Sequence, residues 1–358
     1  MFSNLFLKSF RILLLPLSLV YWLAIRIRNW LYDYNISRSS SFALPVICIG
    51  NLSVGGTGKS PMVEYMIRSL KDRYKIATLS RGYKRRTIGY SLATTQTTAL
   101  DIGDEPMQFH SKFPDIPVAV GEERIVAIPL LLHDRPDTGV IILDDAFQHR
   151  AIKAGLNILL TDYNNLFTRD FYLPTGDLRD LRSSYKRAHI IIVTKCNPAL
   201  SRREAHAIEE EIGLLEEQQL FFTCFSYGTP YHIASQLQQP LTKETEVLLV
   251  AGIANPAPLK KMLEECSKTY YMNHFPDHHI FTIDDLKDIK RRFERIDAPQ
   301  KIILTTEKDA VRLIKFREEI QALPLFVIPV KHRFLFDSGP VFDNRVTKFI
   351  ENFKSQEP

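Results

Sequence analysis

The stretch PVICIGNLSVGGTGKSP, residues 45–61, decides the fold. Its first seven residues read as a buried strand, and Met62, Val63, Met66, Ile67 and Leu70 follow at helical spacing. A strand, a glycine-rich turn and a helix in that order are the context of a phosphate-binding loop. Backbone N–H groups of such a turn and the positive end of the helix surround phosphate oxygens, the lysine reaches the β and γ phosphates, and the serine hydroxyl takes Mg²⁺. The strict G-x-x-x-x-G-K-[ST] pattern is broken here, because Ser53 stands at the first glycine position while Gly55 and Gly56 supply the flexibility. The residues expected to cradle a nucleotide are Ser53, Val54, Gly55, Gly56, Thr57, Gly58, Lys59 and Ser60; the alternative is a structural glycine turn.

Outward from that turn, apolar runs alternate with amphipathic stretches: KIATLS (75–80), IPVAV (116–120), VIILDD (140–145), LNILLTD (156–162) and HIIIVTK (189–195). Runs apolar on both faces and joined by helices mark covered parallel strands. The expected fold class is therefore α/β, a P-loop NTPase-like doubly wound sheet with helices on both faces. A polar helix over 201–218 closes this half. LFFTCFSY (220–227), Gly228-Thr229-Pro230 and the glutamine-rich SQLQQPLTKE (235–244) predict a linker of paired strands. VLLVAGI (247–253), KIILTTE (301–307) and LFVIPV (325–330), with helices near 256–267, 284–296 and 308–321, predict a smaller second α/β domain. The expected organisation is an N-terminal membrane-associated helix (1–35), a P-loop domain (36–227), a strand-like linker (228–246) and a C-terminal domain (247–358) closing over a cleft.

At 358 residues the chain has length for two domains of about 150 residues each. Its 45% hydrophobic and 24% charged residues exclude a wholly disordered, collagen-like or polytopic membrane chain. Cys48, Cys196, Cys224 and Cys266 are scattered, without disulfide or zinc spacing, which points to a reducing compartment. Of the net charge of +5, the first 40 residues carry +4, from Lys8, Arg11, Arg26, Arg28 and Arg38 against Asp33. A second cluster, Arg81, Lys84, Arg85 and Arg86, follows a strand. Neither cluster is interleaved with stacking aromatics, so both read as anion handling, not nucleic-acid binding.

Residues 12–25, ILLLPLSLVYWLAI, carry no charge but are short of the roughly 20 residues a span needs. Pro16 predicts a kink. No small-residue cleavage site follows, and Tyr21, Trp22 and Trp30 beside arginines suit the headgroup zone, so the segment reads as a permanent anchor. Spanning the bilayer and lying in its surface both remain open, as does an ordinary buried first helix.

VIILDD (140–145) has the form of a Walker B strand, whose carboxylates hold or position metal across from the loop serine. With the phosphate loop it predicts nucleotide hydrolysis or phosphoryl transfer, and leaves the acceptor undefined. GNLSVGGTGKSP (50–61), SRGYKR (80–85), GDEP (103–106), LDDAFQHR (143–150), LPTGDLRD (173–180), AGIANP (251–256), FPDHH (275–279) and TTEKDAVRL (305–313) all look like motifs of one family, in its order. The chain thus resembles, over nearly its whole length, the tetraacyldisaccharide 4'-kinases, which phosphorylate a lipid A precursor. It departs from them at Ala146, where glycine is usual, and at Asp180, where glutamate is usual.

The resemblance implies ATP and Mg²⁺ as cofactors, an acylated disaccharide 1-phosphate as acceptor and its 4'-hydroxyl as nucleophile. It implies Asp104, His278, Asp145 and Lys59 as catalytic residues, with Asp104 as proton acceptor and His278 orienting it, and Ser60, Asp144 and Asp180 as metal ligands. Arg81, Tyr83, Lys84, Gln148, His149 and Arg150 are then expected to bind the acceptor. On the residues alone, Asp104 could equally cap a helix beginning at Glu105-Pro106. His279 could replace His278, since neighbours in an extended segment point opposite ways. Lys308-Asp309 could be a plain helix start. The expected setting is a monomer on the cytoplasmic face of the inner membrane of a Gram-negative-type bacterium. The rival reading is a membrane-associated P-loop NTPase switch, although Thr194-Lys195-Cys196-Asn197 lacks the aspartate of a guanine-reading N-K-x-D motif.

Overall fold

The computed structural model describes residues 11–253 and 255–353; Lys8 and Ala254 of the AGIANP motif lie outside the described residues. In chain order the first half contains α1 (Leu15–Asp33), β1 (Val46–Asn51), α2 (Lys59–Leu70), β2 (Ile76–Ser80), β3 (Ser91–Leu92), α3 (Asp104–Lys112), β4 (Val118–Val120) and α4 (Arg124–Asp134). β5 (Val140–Asp144), β6 (Leu156–Asp162), β7 (Ile190–Thr194), α5 (Arg202–Ile212) and β8 (Gln219–Tyr227) follow. The second half contains β9 (Tyr231–His232), β10 (Glu246–Ala251), α6 (Ala257–Cys266), β11 (Thr269–His274), α7 (Ile283–Glu294), β12 (Lys301–Thr306), α8 (Glu307–Leu313) and β13 (Leu325–Ile328), then β14 (Val330–Phe334) and α9 (Gly339–Glu351).

The first sheet has nine strands in the order β14-β8-β7-β6-β1-β5-β2-β4-β3, parallel except at β14 and β3. Every residue of β1, β2, β5 and β7 is buried, as a sheet covered on both faces requires. On one face α2 inserts Met62, Val63, Met66, Ile67 and Leu70 against Ile47, Ile49 and Ile142. On the other, α4 and α5 contribute Ala127, Ile128, Leu131, Ala205 and Ile208. Burying each large apolar side chain contributes about 1.5–3 kcal/mol, so the α2 stripe alone anchors the helix that follows the phosphate loop. The polar helix expected to reach Gln218 stops at Ile212, because Gly213 takes φ +65° and ends it in a left-handed cap.

The second sheet is β11-β10-β12-β13-β9, parallel except for β9. Two expected boundaries shift. β9 lies in the supposed linker yet pairs with β13, so residues 231–232 belong to the second sheet. β14 leaves that sheet and pairs antiparallel with β8, and α9 buries Phe342, Val346 and Ile350 in the core beneath α2. The last described helix therefore packs on the first domain, not on the second as expected for 247–358.

α1 inverts the usual arrangement of a surface helix. Ser18 and Asn29 are among its few buried residues, while Leu17, Leu19, Val20, Leu23 and Ile27 face outward. Ser18 Oγ donates to Thr175 Oγ1 at 2.7 Å, and Asn29 Nδ2 donates to Asp180 Oδ1 at 2.8 Å. Together, Ile12–Asp33 are long and apolar enough to cross a membrane by length and composition. Pro16 does not kink the helix; it lies in its first turn, where a missing N–H costs no hydrogen bond.

Candidate active site

The phosphate loop joins β1 to α2, with Gly55 at φ +100° and Gly58 at φ +87° supplying the left-handed turns. Its flanks are fastened. Val54 N–H donates to the Asp177 carbonyl at 2.7 Å, and Arg179 N–H donates to the Leu52 carbonyl at 2.8 Å. Asn51 Nδ2 donates to Thr57 Oγ1 at 3.0 Å, and Thr194 Oγ1 donates to the Thr57 carbonyl at 2.8 Å. His332, from β14, places Nε2 2.9 Å from the Gly58 carbonyl and Nδ1 2.9 Å from Thr223 Oγ1. Burial pushes its imidazole down to about 4, so Nε2 donates from the neutral ring.

Lys59 opens α2 and lies 3.6 Å from Asp145 Oδ1. Burial lowers its ammonium, against the pull of Asp145. Asp145 directly follows β5 with φ +49°, while Ala146 avoids the left-handed region, which is why it can stand where glycine is usual. Although burial pushes the Asp145 carboxyl up, Lys59 and Arg179 outweigh it and hold it down at about 2. Asp144 behaves oppositely: burial and then the Asp145 charge push it up to about 7. Ser80 Oγ donates to its Oδ2 at 3.4 Å, and its buried Oδ1 has no partner. A buried carboxylate oxygen without a donor, at a strand end close enough to Lys59 to feel its charge, suits Mg²⁺, which takes oxygen ligands.

Asp104 is the first residue of α3, with Gly103 at φ +92° as its cap, so it caps no helix itself. His278 Nδ1 lies 2.8 Å from Asp104 Oδ2. Arg312 of α8 donates to Asp104 Oδ1 from Nε at 2.7 Å and grips Oδ2 through Nη2. Burial pushes the Asp104 carboxyl up, but Arg312 and then His278 outweigh it and hold it below the ordinary range. Lys308 Nζ stands 3.2 Å from His278 Nε2, and Tyr83 packs edge-on to the imidazole at 5.8 Å. His279 turns away: it stacks on Phe275 and pairs with Asp285 at 3.0 Å. The choice between the two imidazoles therefore falls to His278, which takes φ +65° to reach the cleft. Glu105, beside Asp104, pairs with Lys308 at 3.4 Å, and its charge also reaches Lys59 and Asp144 at the phosphate loop.

Other expected site residues divide. Arg81, Tyr83 and Lys84 are exposed after β2. His149 is pushed down to about 4 by burial and then by Arg124, Arg28 and Arg81, and its Nε2 has no partner. Gln148 Nε2 donates to the Asn51 carbonyl at 2.6 Å while its buried Oε1 has no partner, and Arg150 pairs with Asp33 at 2.7 Å. Arg85 likewise pairs with Glu122 at 2.6 Å.

Asp180 lies where α1 meets the body. Its fully buried carboxylate accepts from Asn29 Nδ2, Ser184 Oγ at 2.9 Å and the Leu181 N–H at 2.8 Å through Oδ1, and pairs with Arg187 at 2.9 Å through Oδ2. Through Asn29 it docks α1. Arg124, Arg179, Lys308, Arg312 and His332 were missed. Arg124 is buried at the start of α4, donates to the Asp145 carbonyl at 3.3 Å and leaves Nε unpartnered. Its signal was available: GEER follows a strand at the carboxyl edge of the sheet, where ligands bind in open α/β folds.

A profile of the Tetraacyldisaccharide-1-P 4'-kinase family matches residues 10–351. The Tetraacyldisaccharide 4'-kinase of Parabacteroides distasonis is 43% identical, covering 98% of this chain and 97% of that protein. The Flavobacterium psychrophilum protein of the same name is 44% identical over 95% of this chain and 96% of its own. A crystal structure of LpxK from Aquifex aeolicus in complex with ATP superimposes with a TM-score of 0.74 at 27% identity, covering 95% of this chain and 99% of that one.

Proposed function

The chain belongs to the tetraacyldisaccharide-1-P 4'-kinase family, and on that premise we propose how its residues divide the work. The protein is an ATP-dependent kinase of lipopolysaccharide biosynthesis. It transfers the γ-phosphoryl group of ATP to the 4'-hydroxyl of a tetraacyldisaccharide 1-phosphate, forming lipid IVA. One observation supports the assignment of roles: Asp104 of α3 and His278, from the segment after β11 of the second sheet, pair at 2.8 Å.

Phosphoryl transfer through a loose transition state needs positioning, charge neutralisation and a proton acceptor. Asp104, kept anionic by Arg312, takes the proton of the attacking hydroxyl, and His278 shares it through Nδ1. Lys59 reaches the β and γ phosphates, with Asp145 holding its ammonium and Arg179 holding Asp145 through Nη1 at 3.2 Å. Ser60 and the free oxygen of Asp144 would hold Mg²⁺. Bound there, the ion neutralises charge on the transferring phosphate. Arg81, Lys84 and Arg124 form a cationic wall, with Tyr83 and the neutral imidazole of His149 beside it, that receives the phosphate-bearing acceptor.

α1 lies in the cytoplasmic surface of the inner membrane. Its polar face is bonded along the protein body and its apolar face is outward, the arrangement of an interfacial helix. An acceptor with acyl chains stays in the bilayer, because each buried CH₂ contributes about 0.8 kcal/mol. One copy supplies every group named above, so the monomer is the working unit.

The test is ³²P transfer from γ-labelled ATP to a tetraacyldisaccharide 1-phosphate by the detergent-solubilised protein, with a no-acceptor control. Acceptor-dependent labelled lipid is expected. Equal release of free phosphate with and without acceptor would return the case to an NTPase switch.

A further inference from the structure

Away from the reacting groups, two buried carboxylates share one lysine. Glu64 of α2 is fully buried, and its Oε2 lies 2.5 Å from Lys112 Nζ, at the end of α3. The same ammonium contacts Glu307 Oε1, at the start of α8. Glu64 Oε1 also accepts from Gln108 Nε2 at 2.6 Å, and Oε2 from Arg68 Nη1 at 3.1 Å. Glu307 Oε2 accepts the Val330 N–H at 3.1 Å, two residues before His332 meets the phosphate loop. Burial and the charge of Glu64 push the Glu307 carboxyl up, and Lys112 opposes them.

Each of these three helices carries one group of the reaction and one of the bridge. α2 begins with Lys59 and Ser60 and holds Glu64; α3 begins with Asp104 and ends with Lys112; α8 begins with Glu307 and carries Lys308 and Arg312. α3 and α8 run antiparallel and are pinned at both ends, by Arg312 on Asp104 and by Lys112 on Glu307. At 1.5 Å rise per residue the two pins stand about 12 Å apart along α3 and about 7.5 Å apart along α8. A single contact would leave α8 free to pivot about Asp104; two contacts fix its direction, and the one to Glu64 refers that direction to the helix that starts at the phosphate loop.

We propose that the Glu64–Lys112–Glu307 bridge is a positioning device for phosphoryl transfer, setting the register of Asp104 and His278 against the bound ATP. TTEKDAVRL is then the crossbar of the two-sheet site. The inference rests on the assignment of Asp104 and His278 as the pair that activates the acceptor.

The test compares Lys112→Met, Lys112→Arg, Lys112→Met/Glu307→Gln and Asp104→Ala in the full-length kinase, reading kcat, KM for ATP and Tm. Lys112→Met should lower kcat about tenfold or more, since small misplacements are costly in transfer reactions, with KM for ATP little changed. Lys112→Arg should restore most of kcat. The double variant removes the uncompensated buried charge, so it should recover Tm while its kcat stays low. Wild-type kcat in Lys112→Met, or recovery of both Tm and kcat in the double variant, would overturn the proposal. Retained turnover in Asp104→Ala would instead sink the assignment beneath it.

Discussion

His278 Nδ1 and Asp104 Oδ2 meet at 2.8 Å across 174 positions of sequence. Arg312 contacts both, with Nη2 lying 2.8 Å from the imidazole nitrogen, so the carboxylate, guanidinium and imidazole form one unit. Asp104→Ala and His278→Ala should each lower kcat by about 10²–10⁴-fold. Binding of a fluorescent ATP analogue should persist, because the phosphate loop is untouched. His279→Ala, whose ring pairs with Asp285, should keep near-wild-type turnover; an equal loss there would reverse the choice of imidazole.

Asp144 leaves one buried oxygen without a donor. Asp144→Asn should raise the Mg²⁺ concentration for half-maximal activity by about 10-fold or more and weaken Mn²⁺ binding measured by calorimetry in the presence of ATP. Unchanged Mn²⁺ affinity would remove Asp144 from the metal site.

Asp180 is fully buried, pairs with the partly exposed Arg187 and bonds to Asn29 of α1. Removing one partner of a buried pair costs about 3–5 kcal/mol, so Asp180→Ala should lower Tm by several degrees. Its Mg²⁺ titration should match wild type in midpoint. A shifted midpoint with unchanged Tm would make Asp180 a metal ligand after all.

His332 has a folded pKa of about 4, below its ordinary 6.5. Between those values the unfolded chain binds the extra proton, so stability is full above about 6.5 and is lost as pH falls toward 4, by at most about 3 kcal/mol. His332→Gln keeps a donor toward the Gly58 carbonyl and removes the titration. Its denaturant midpoint should vary less between pH 7 and 4.5 than that of wild type; parallel curves would exclude this contribution.

Leu17, Val20 and Leu23 face outward on α1. Replacing all three by glutamate should abolish sedimentation with anionic phospholipid vesicles while leaving Tm near wild type. Retained sedimentation would place the membrane contact elsewhere.

The phosphate loop, the Walker B pair and most strand positions were legible because each is local: an apolar run, a glycine turn and a periodic helix occupy adjacent residues. Asp104 and His278 were found through motif resemblance, and their contact needed the structure. Arg312 and Lys308 escaped because a basic residue on a short helix has no local signature. They become site residues only when α8 lies antiparallel to α3. The surroundings of Asp180 were hidden for a related reason: the motif shows an acid, but not that Asn29, Ser184 and Arg187 gather around it. The return of β14 to the first sheet was hidden by Pro329, which made 325–330 read as one strand when it is the corner between two.

That return has a consequence for how the protein comes into being. The Gly58 carbonyl and the His332 imidazole that props it are separated by 274 positions. At about 5–20 residues per second, a ribosome completes the loop about 15–55 s before it delivers the prop. Until then the face of the sheet that receives Phe342, Val346 and Ile350 is uncovered as well. The first helix is therefore complete while the nucleotide loop is still unpropped, so competence for ATP arrives last. A message cut short before codon 330 would yield a protein with an open core, a ready substrate for quality-control proteases.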